Sequence, residues 1–306
     1  MSDRLIVGSR GSKLALIQAN MVAGKLREVS TGLDVQIKKI VTEGDRNLSI
    51  NIEEAGGVGI FVKAIEDALI KREIDIGVHS LKDLPVVQPE GLCIVAVTER
   101  EDPRDALVAA SPLRSLNPGA RIGTSSVRRS VQIKGLRPDI RTVGIRGNVD
   151  TRLRKVASGE VDGIIVAAAA MLRLGREAEI TEYFPDDVLI PAAGQGALAI
   201  EARCSDTFVA DLVRAIKHLP TWQATRAERA FLAHLGGGCT APISCIAKVD
   251  NGLLKMTGMI ADREGTVIMT DHIEADSADP EIAGKRLAEK MLEGGAAKIV
   301  EEMRCR

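Results

Sequence analysis

Along the first two thirds of this 306-residue chain, short apolar runs alternate with longer amphipathic stretches, and few folds accommodate that rhythm. Residues 5–8 read as a strand. Ser12 opens a helix that gathers Leu14, Ala15, Ile17, Met21, Val22 and Leu26 on one side. Residues 35–41 form a strand with alternating faces, 61–70 a helix and 74–78 a buried strand. Such an order predicts a mostly parallel sheet covered by helices.

A second run follows the charged break at 101–105. Residues 121–123, 140–145 and 163–168 read as strands, with helices at 125–136, ended before Pro138, and at 149–157. Residues 199–202 predict a strand that returns to the first unit. Two crossovers give two α/β lobes around a cleft, like a solute-binding (periplasmic-binding-protein-like) fold. The tail changes character, with an amphipathic helix at 222–235 and a hairpin of 243–249 and 253–260 through Asn251-Gly252. A third strand follows at 267–273, and residues 280–303 are helical with a break near Gly294-Gly295. The expected fold class is therefore α/β, two lobes plus a small C-terminal α+β domain with a three-stranded sheet.

Charge is unevenly spread. The chain has 41 basic and 42 acidic residues, yet the window 121–155 alone holds Arg121, Arg128, Arg129, Lys134, Arg137, Arg141, Arg146, Arg152, Arg154 and Lys155 against only Asp139 and Asp150. The remainder is acidic. Arginine keeps its charge and grips carboxylate or phosphate as a two-pronged fork. A dense arginine surface in an otherwise acidic chain implies a polyanionic ligand. Nucleic acid fits poorly, because six aromatic residues offer few stacking platforms and the net charge is near zero. A solute-binding double lobe without catalysis remains a rival, since it also explains a cleft and arginines. The N-terminus lacks the apolar run of a signal peptide and residues 164–172 are too few to span a bilayer, so a cytoplasmic protein is expected, with no membrane partner.

The five cysteines (Cys93, Cys204, Cys239, Cys245 and Cys305) form no C-x-x-C pair and have no histidine at zinc spacing, so no metal is expected. Cys245 reads as a strand residue. Cys239 is different, because Leu235-Gly236-Gly237-Gly238-Cys239 leaves little to bury its sulfur. An accessible thiolate is a nucleophile or a covalent anchor. A Cys–His hydrolase would need a positioned histidine, and neither His79 nor His234 lies in a recognisable partner motif.

Other segments place polar groups at strand ends, where open α/β sheets bind ligands. Val78-His79-Ser80-Leu81-Lys82-Asp83-Leu84-Pro85 ends an apolar strand in a burst of polar groups. Asp83 beside Lys82 is either a surface pair or a carboxylate held at the cleft to give or take a proton. Gly123-Thr124-Ser125-Ser126-Val127-Arg128-Arg129 opens a helix whose free N–H groups suit an anion, though an ordinary capped helix with a basic face has the same pattern. The adjacent arginine pair, with Arg146-Gly147-Asn148 and Arg152 around the next helix start, favours the anion site. Gly56-Gly57-Val58-Gly59 lacks a Gly-Lys-Ser/Thr ending and is no nucleotide loop; it reads as a flexible loop able to act as a lid. Gly194-Gln195-Gly196 is a tight backbone turn close to ligand.

Taken together, these segments resemble the porphobilinogen deaminase (hydroxymethylbilane synthase) family. The matching motifs are Ser9-Arg10-Gly11-Ser12-Lys13-Leu14-Ala15, Phe61-Val62-Lys63, residues 78–85, 99–105, 123–129, 146–152 and 191–196, and Gly237-Gly238-Cys239. The resemblance implies three domains: 1–99 with 194–216, 100–193, and 217–306. It implies a dipyrromethane cofactor joined by a thioether to Cys239. The family's enzyme is a transferase that adds four porphobilinogen units head to tail on this primer. It releases linear hydroxymethylbilane, and ammonia at each addition, for porphyrin and haem biosynthesis. Two primer pyrroles and four additions bring twelve carboxylates together, and fixed cations keep them from repelling one another. By resemblance those contacts fall to Arg10, Ser12, Ser80, Lys82, Thr124, Ser126, Arg128, Arg129, Arg146, Arg152 and Arg173, with Gly147, Gln195 and Gly196 as backbone of the cleft. Asp83 matches the catalytic aspartate, which steadies the cationic azafulvene-like centre left when ammonia departs. A monomer is implied, with porphobilinogen as its small-molecule partner. Two departures stand out: Val58 replaces a lysine common in the glycine loop, and Glu43 in Thr42-Glu43-Gly44-Asp45 stands where a basic residue is common.

Overall fold

A computed structural model describes residues 4–41, 59–236 and 241–304. The chain divides into two compact units, residues 1–101 with 197–222, and residues 102–196 with 223–306.

The first unit is built on a five-stranded sheet. Its strands are β1 (Arg4–Arg10), β2 (Asp34–Ile40), β3 (Ile76–Ser80), β4 (Leu92–Val97) and β10 (Leu198–Arg203), in the order β2-β1-β3-β10-β4. β1 runs parallel to β2 and β3, whereas β10 is antiparallel to both β3 and β4. Helix α1 (Lys13–Val29) starts where Ser12 accepts a hydrogen bond from the Ala15 amide at 3.3 Å, which satisfies one of the first-turn donors. Its buried face, Ala19, Val22, Ala23 and Leu26, packs on Leu5, Val7, Val35, Ile76 and Ile200. Helices α2 (Gly59–Ile70) and α6 (Thr207–Arg214) also belong to this unit.

The second unit contains two sheets. One takes β5 (Asp105–Ala109), β6 (Arg121–Gly123), β7 (Arg141–Val143), β8 (Gly163–Ala167) and β9 (Glu182–Tyr183) in the order β7-β6-β8-β5-β9. β6 is parallel to β7 and β8, and β5 is antiparallel to β8 and β9. The topology repeats that of the first sheet: a parallel trio with its first strand in the middle, then one antiparallel strand delivered by a crossover. The return of β10 to the first sheet follows the sequence expectation. Helices α3 (Val127–Leu136), α4 (Val149–Ala157) and α5 (Ala168–Arg173) follow β6, β7 and β8.

The C-terminal part pairs β11 (Ile243–Asp250), β12 (Leu253–Ala261) and β13 (Ile268–Asp276) as an antiparallel three-stranded sheet. Asn251 (φ 48°) and Gly252 (φ 82°) make the first turn, both in the left-handed region that a two-residue hairpin requires. Helices α7 (Leu219–Leu235), α8 (Pro280–Met291) and α9 (Ala297–Arg304) cover the sheet through Phe231, Leu287 and Val300, and the helical run breaks at Gly295 (φ 114°) as expected. Val131 of α3 packs against Ile246, Met259 and Ala261, so this sheet shares a core with the arginine-bearing helix.

The crossing of α7 and α8 is tight enough to make a prediction. A Cβ at Gly284 would lie 2.1 Å from the Ala227 carbonyl oxygen and 2.9 Å from the Phe231 amide nitrogen, both backbone. Gly284→Ala is expected to cost ~1–3 kcal/mol through overpacking. Gly24→Ala, inside α1 with nothing within 4 Å of the new carbon, is expected to gain up to about 1 kcal/mol. Urea unfolding of both variants checks this pair; a Gly284→Ala protein as stable as wild type would show that the helices separate freely.

Candidate functional site

In the first unit the polar residues collect at the carboxyl ends of the parallel strands. β1 ends in Arg10 and leads through Ser12 into α1, while the neighbouring β3 ends in Ser80. The Ser80 hydroxyl accepts from Gln18 Nε2 of α1 at 3.0 Å. Residues Leu81–Asp83 then form a single 3₁₀ turn. Leu81 and Leu84 are buried with Val62, Val97 and Ala199, and the Leu81 amide donates to the Ala197 carbonyl at 3.0 Å. Two leucine anchors therefore fix the backbone on either side of Lys82 and Asp83, whose side chains are only partly covered. Arg10, Ser12, Ser80, Lys82 and Asp83 thus share one edge of one sheet; for residues 78–85 this is the strand-end position that the sequence predicts.

His79 has a different role. It is buried in β3 with its Nε2 3.1 Å from Glu201 Oε2, and Glu201 is fully buried in β10. Burial, then the charge of Glu201, pushes the nearby Glu66 carboxyl up. His79 is an interior residue of the lobe. His234, the other histidine weighed for a thiol hydrolase, lies 4.0 Å from Glu289 and is partly exposed.

In the second unit, Thr124, Ser126, Arg128 and Arg129 follow β6, Arg146, Gly147 and Arg152 follow β7, and Arg173 ends the helix after β8. Ser126 caps α3 by accepting from the Arg129 amide at 3.4 Å, and its own amide donates to Thr124 Oγ1 at 3.1 Å. Asn148 caps α4, and Gly147, at φ 106°, turns the chain so that its carbonyl accepts from Arg152 Nε at 2.9 Å. A Cβ at Gly147 would meet Thr151 at 2.7 Å. Arg146 is exposed. Arg152 is held below the ordinary guanidinium range by burial and by the like charge of Arg129. Arg173 Nη2 donates to the Gly196 carbonyl, and Gly194 and Gly196 adopt φ 73° and 89°.

Arg128 and Arg129 are 6% and 7% exposed, and both contact Asp105. Asp105 is the residue that sequence reasoning missed. It was read as part of a charged break, but it is the fully buried first residue of β5. Gln195 reaches the same carboxylate, donating to Oδ1 at 2.9 Å and to the Pro103 carbonyl at 2.7 Å. Burial alone would raise the Asp105 carboxyl; the two arginines overcome it and hold the group far below the usual carboxylate range. The available signal was a lone acid directly before the apolar stretch 106–109.

The arginine window is thus less uniformly free than its composition implies. Arg121 pairs with Asp162, Arg137 with Asp139 and Lys155 with Glu160. The Arg121 and Lys155 pairs lie at the surface and contribute little, and Arg137 is further engaged by the Leu113 and Leu116 carbonyls. The surplus that remains around Arg128, Arg129 and Arg152, set against one carboxylate and flanked by Thr124 and Ser126, suits an acid-bearing ligand. That donor set fits a pyrrole carrying acetate and propionate groups.

Cys239 lies outside the described residues, as do Gly237, Gly238, Val58, Glu43 and Cys305. Cys245 sits in β11, fully buried, as the sequence predicts. Among the described residues there is no His/Cys/Asp/Glu cluster that could hold a metal, and no helix long and apolar enough to cross a membrane.

Known proteins extend the same pattern along the whole chain. Residues 5–211 match the family model "Porphobilinogen deaminase, dipyromethane cofactor binding domain", and residues 222–293 match "Porphobilinogen deaminase, C-terminal domain". The porphobilinogen deaminase of Geobacter metallireducens is 45% identical over 98% of this chain and 95% of its own length. The porphobilinogen deaminase of Thermus thermophilus is 45% identical over 98% of this chain and 99% of its own. That of Carboxydothermus hydrogenoformans is 43% identical over 99% and 98%. With strand-end arginines, a pinned Asp83 turn and matches that span both units, the chain belongs to the porphobilinogen deaminase family.

Proposed function

We propose that this chain deaminates porphobilinogen and joins four units head to tail on a dipyrromethane primer, releasing hydroxymethylbilane and ammonia. The observation that carries the reading is the surplus positive charge at the carboxyl ends of β6 and β7, where Arg128 and Arg129 share a single acid and Arg152 feels the charge of Arg129. We read the chain as three domains, 1–99 with 194–216, 100–193 and 217–306, each built on one of the three sheets. We further read it as a cytoplasmic monomer whose partner is the small molecule porphobilinogen.

In this reading Cys239 would hold the primer by a thioether, and the primer would supply the free pyrrole α-carbon for the first addition, each later unit joining the terminal ring of the growing chain. Arg128, Arg129, Arg146 and Arg152, with Thr124 and Ser126, bind the acetate and propionate groups. Arg10, Ser12, Ser80, Lys82 and Arg173 bind the rest, with the backbone at Gly147, Gln195 and Gly196 alongside. Loss of ammonia from the aminomethyl group leaves positive charge on the substrate pyrrole. Asp83, on a turn anchored by Leu81 and Leu84, sets a carboxylate against the pyrrole N–H and lowers the energy of that charge. The same oxygen can take up the proton the ring releases on coupling.

Intact mass tests the reading. The purified protein is expected to carry an adduct of two pyrrole units and, on adding porphobilinogen, to gain mass in single-pyrrole steps. An active protein with an unmodified mass would refute it.

A further inference from the structure

We propose that Asp105 is a positioning residue of the second lobe, a resident carboxylate that holds Arg128 and Arg129 in place and leaves the pair one net positive charge for a substrate acid. The proposal rests on the function given above. Topology explains how the acid gets there. β5 runs antiparallel to β8, so Asp105, the first residue of β5, pairs with Ala167, the last of β8. The crossover strand thereby delivers its first side chain to the edge where the parallel strands deliver cations.

The geometry is over-determined. Asp105 Oδ2 accepts from Arg128 Nη1 at 2.7 Å. Its Oδ1 accepts from Arg129 Nε at 3.0 Å, Arg129 Nη2 at 2.7 Å and Gln195 Nε2 at 2.9 Å. Each guanidinium is tied a second time: Arg128 Nη1 to the Ile190 carbonyl at 2.8 Å, and Arg129 Nη1 to the Ile165 carbonyl at 3.0 Å. Gln132 locks the first of these carbonyls by donating to it at 3.1 Å and accepting from the Ile190 amide at 2.7 Å.

Without Asp105, two adjacent buried guanidiniums would repel each other and swing towards water. With two acids resident, no charge would remain to attract a ligand. One acid between two arginines gives both order and a surplus, so an arriving carboxylate meets cations that need no rearrangement. Arg152, which already feels Arg129, supplies the next cation outward.

The test compares holoenzyme of wild type, Asp105→Glu and Asp105→Asn by porphobilinogen kinetics, thermal melting and intact mass. Asp105→Glu keeps the charge but moves the carboxylate by one methylene. It is expected to melt close to wild type while KM rises about tenfold and kcat changes less. Asp105→Asn removes the charge; it is expected to melt lower, and added formate, which replaces the missing carboxylate, is expected to raise its melting temperature more than that of wild type. If Asp105→Asn does not fold, Asp105→Glu decides. A wild-type KM in Asp105→Glu, or equal protection of both proteins by formate, overturns the proposal. Wild type without adduct or turnover sinks the parent reading as well, so the two failures are distinguishable.

Discussion

Asp83→Asn is expected to keep the fold and lose at least about a hundredfold in porphobilinogen turnover, the usual scale for removing a positioned proton-transfer group. The substitution conserves shape and one hydrogen-bond acceptor but removes the charge and the basic oxygen. Little folding energy is at stake, because the turn is held by Leu81 and Leu84, which are 1% and 3% exposed, and by the Leu81 amide bond to Ala197. Asp83 itself is only partly covered. Circular dichroism and a melting curve should therefore match wild type while the rate of pyrrole consumption collapses. A rate within twofold of wild type, with the fold intact, would remove Asp83 from the chemistry and leave the turn as mere structure.

The sequence was most legible where local chemistry and tertiary structure agree. Ser12 capping α1, Asn251-Gly252 turning the C-terminal hairpin and Gly295 breaking the last helix each have a local cause that packing does not overrule. β4, β5 and β9 were not read out. β9 is two residues long, and β5 opens with an aspartate that propensity assigns to a turn. What makes Asp105 a strand residue is not local at all: two arginines more than 20 residues away supply the charges that let its carboxylate leave water.

The same non-locality limits the charge argument. A window of ten basic and two acidic residues reads as one positive surface, yet Asp105, Glu160 and Asp162 come from outside it to pair with four of those cations. Composition pointed to an acid-bearing ligand but could not say which guanidiniums are already engaged. Strand-end placement was recoverable, because a βα unit always delivers the residues after its strand to the same sheet edge. Arg10, Ser80 and Asp83 in one lobe and Thr124, Arg128 and Arg146 in the other follow that rule.

Cys239→Ser is expected to abolish the pyrrole adduct and with it all turnover above background. Sulfur is a strong nucleophile towards an electrophilic carbon. A serine hydroxyl stays protonated and forms no equivalent bond. Helix α7 ends at Leu235 and is followed by Gly236 at φ 66°, and strand β11 begins at Ile243. Glu228, fully buried in α7, ties that helix to β11 by accepting from the Ala247 amide at 2.7 Å and to the 194–196 turn by accepting from the Gly194 amide at 2.6 Å. The variant should also melt below wild type, because a covalent ligand that interacts only with the folded state stabilises it. Cys245→Ser is the control: its sulfur is buried in β11 3.6 Å from the Glu228 carbonyl, so the variant should lose some stability and keep its adduct. Intact mass of the two proteins decides the matter. An adduct that persists in Cys239→Ser, or one that disappears in Cys245→Ser, would move the attachment point and break the link between the glycine loop and the chemistry.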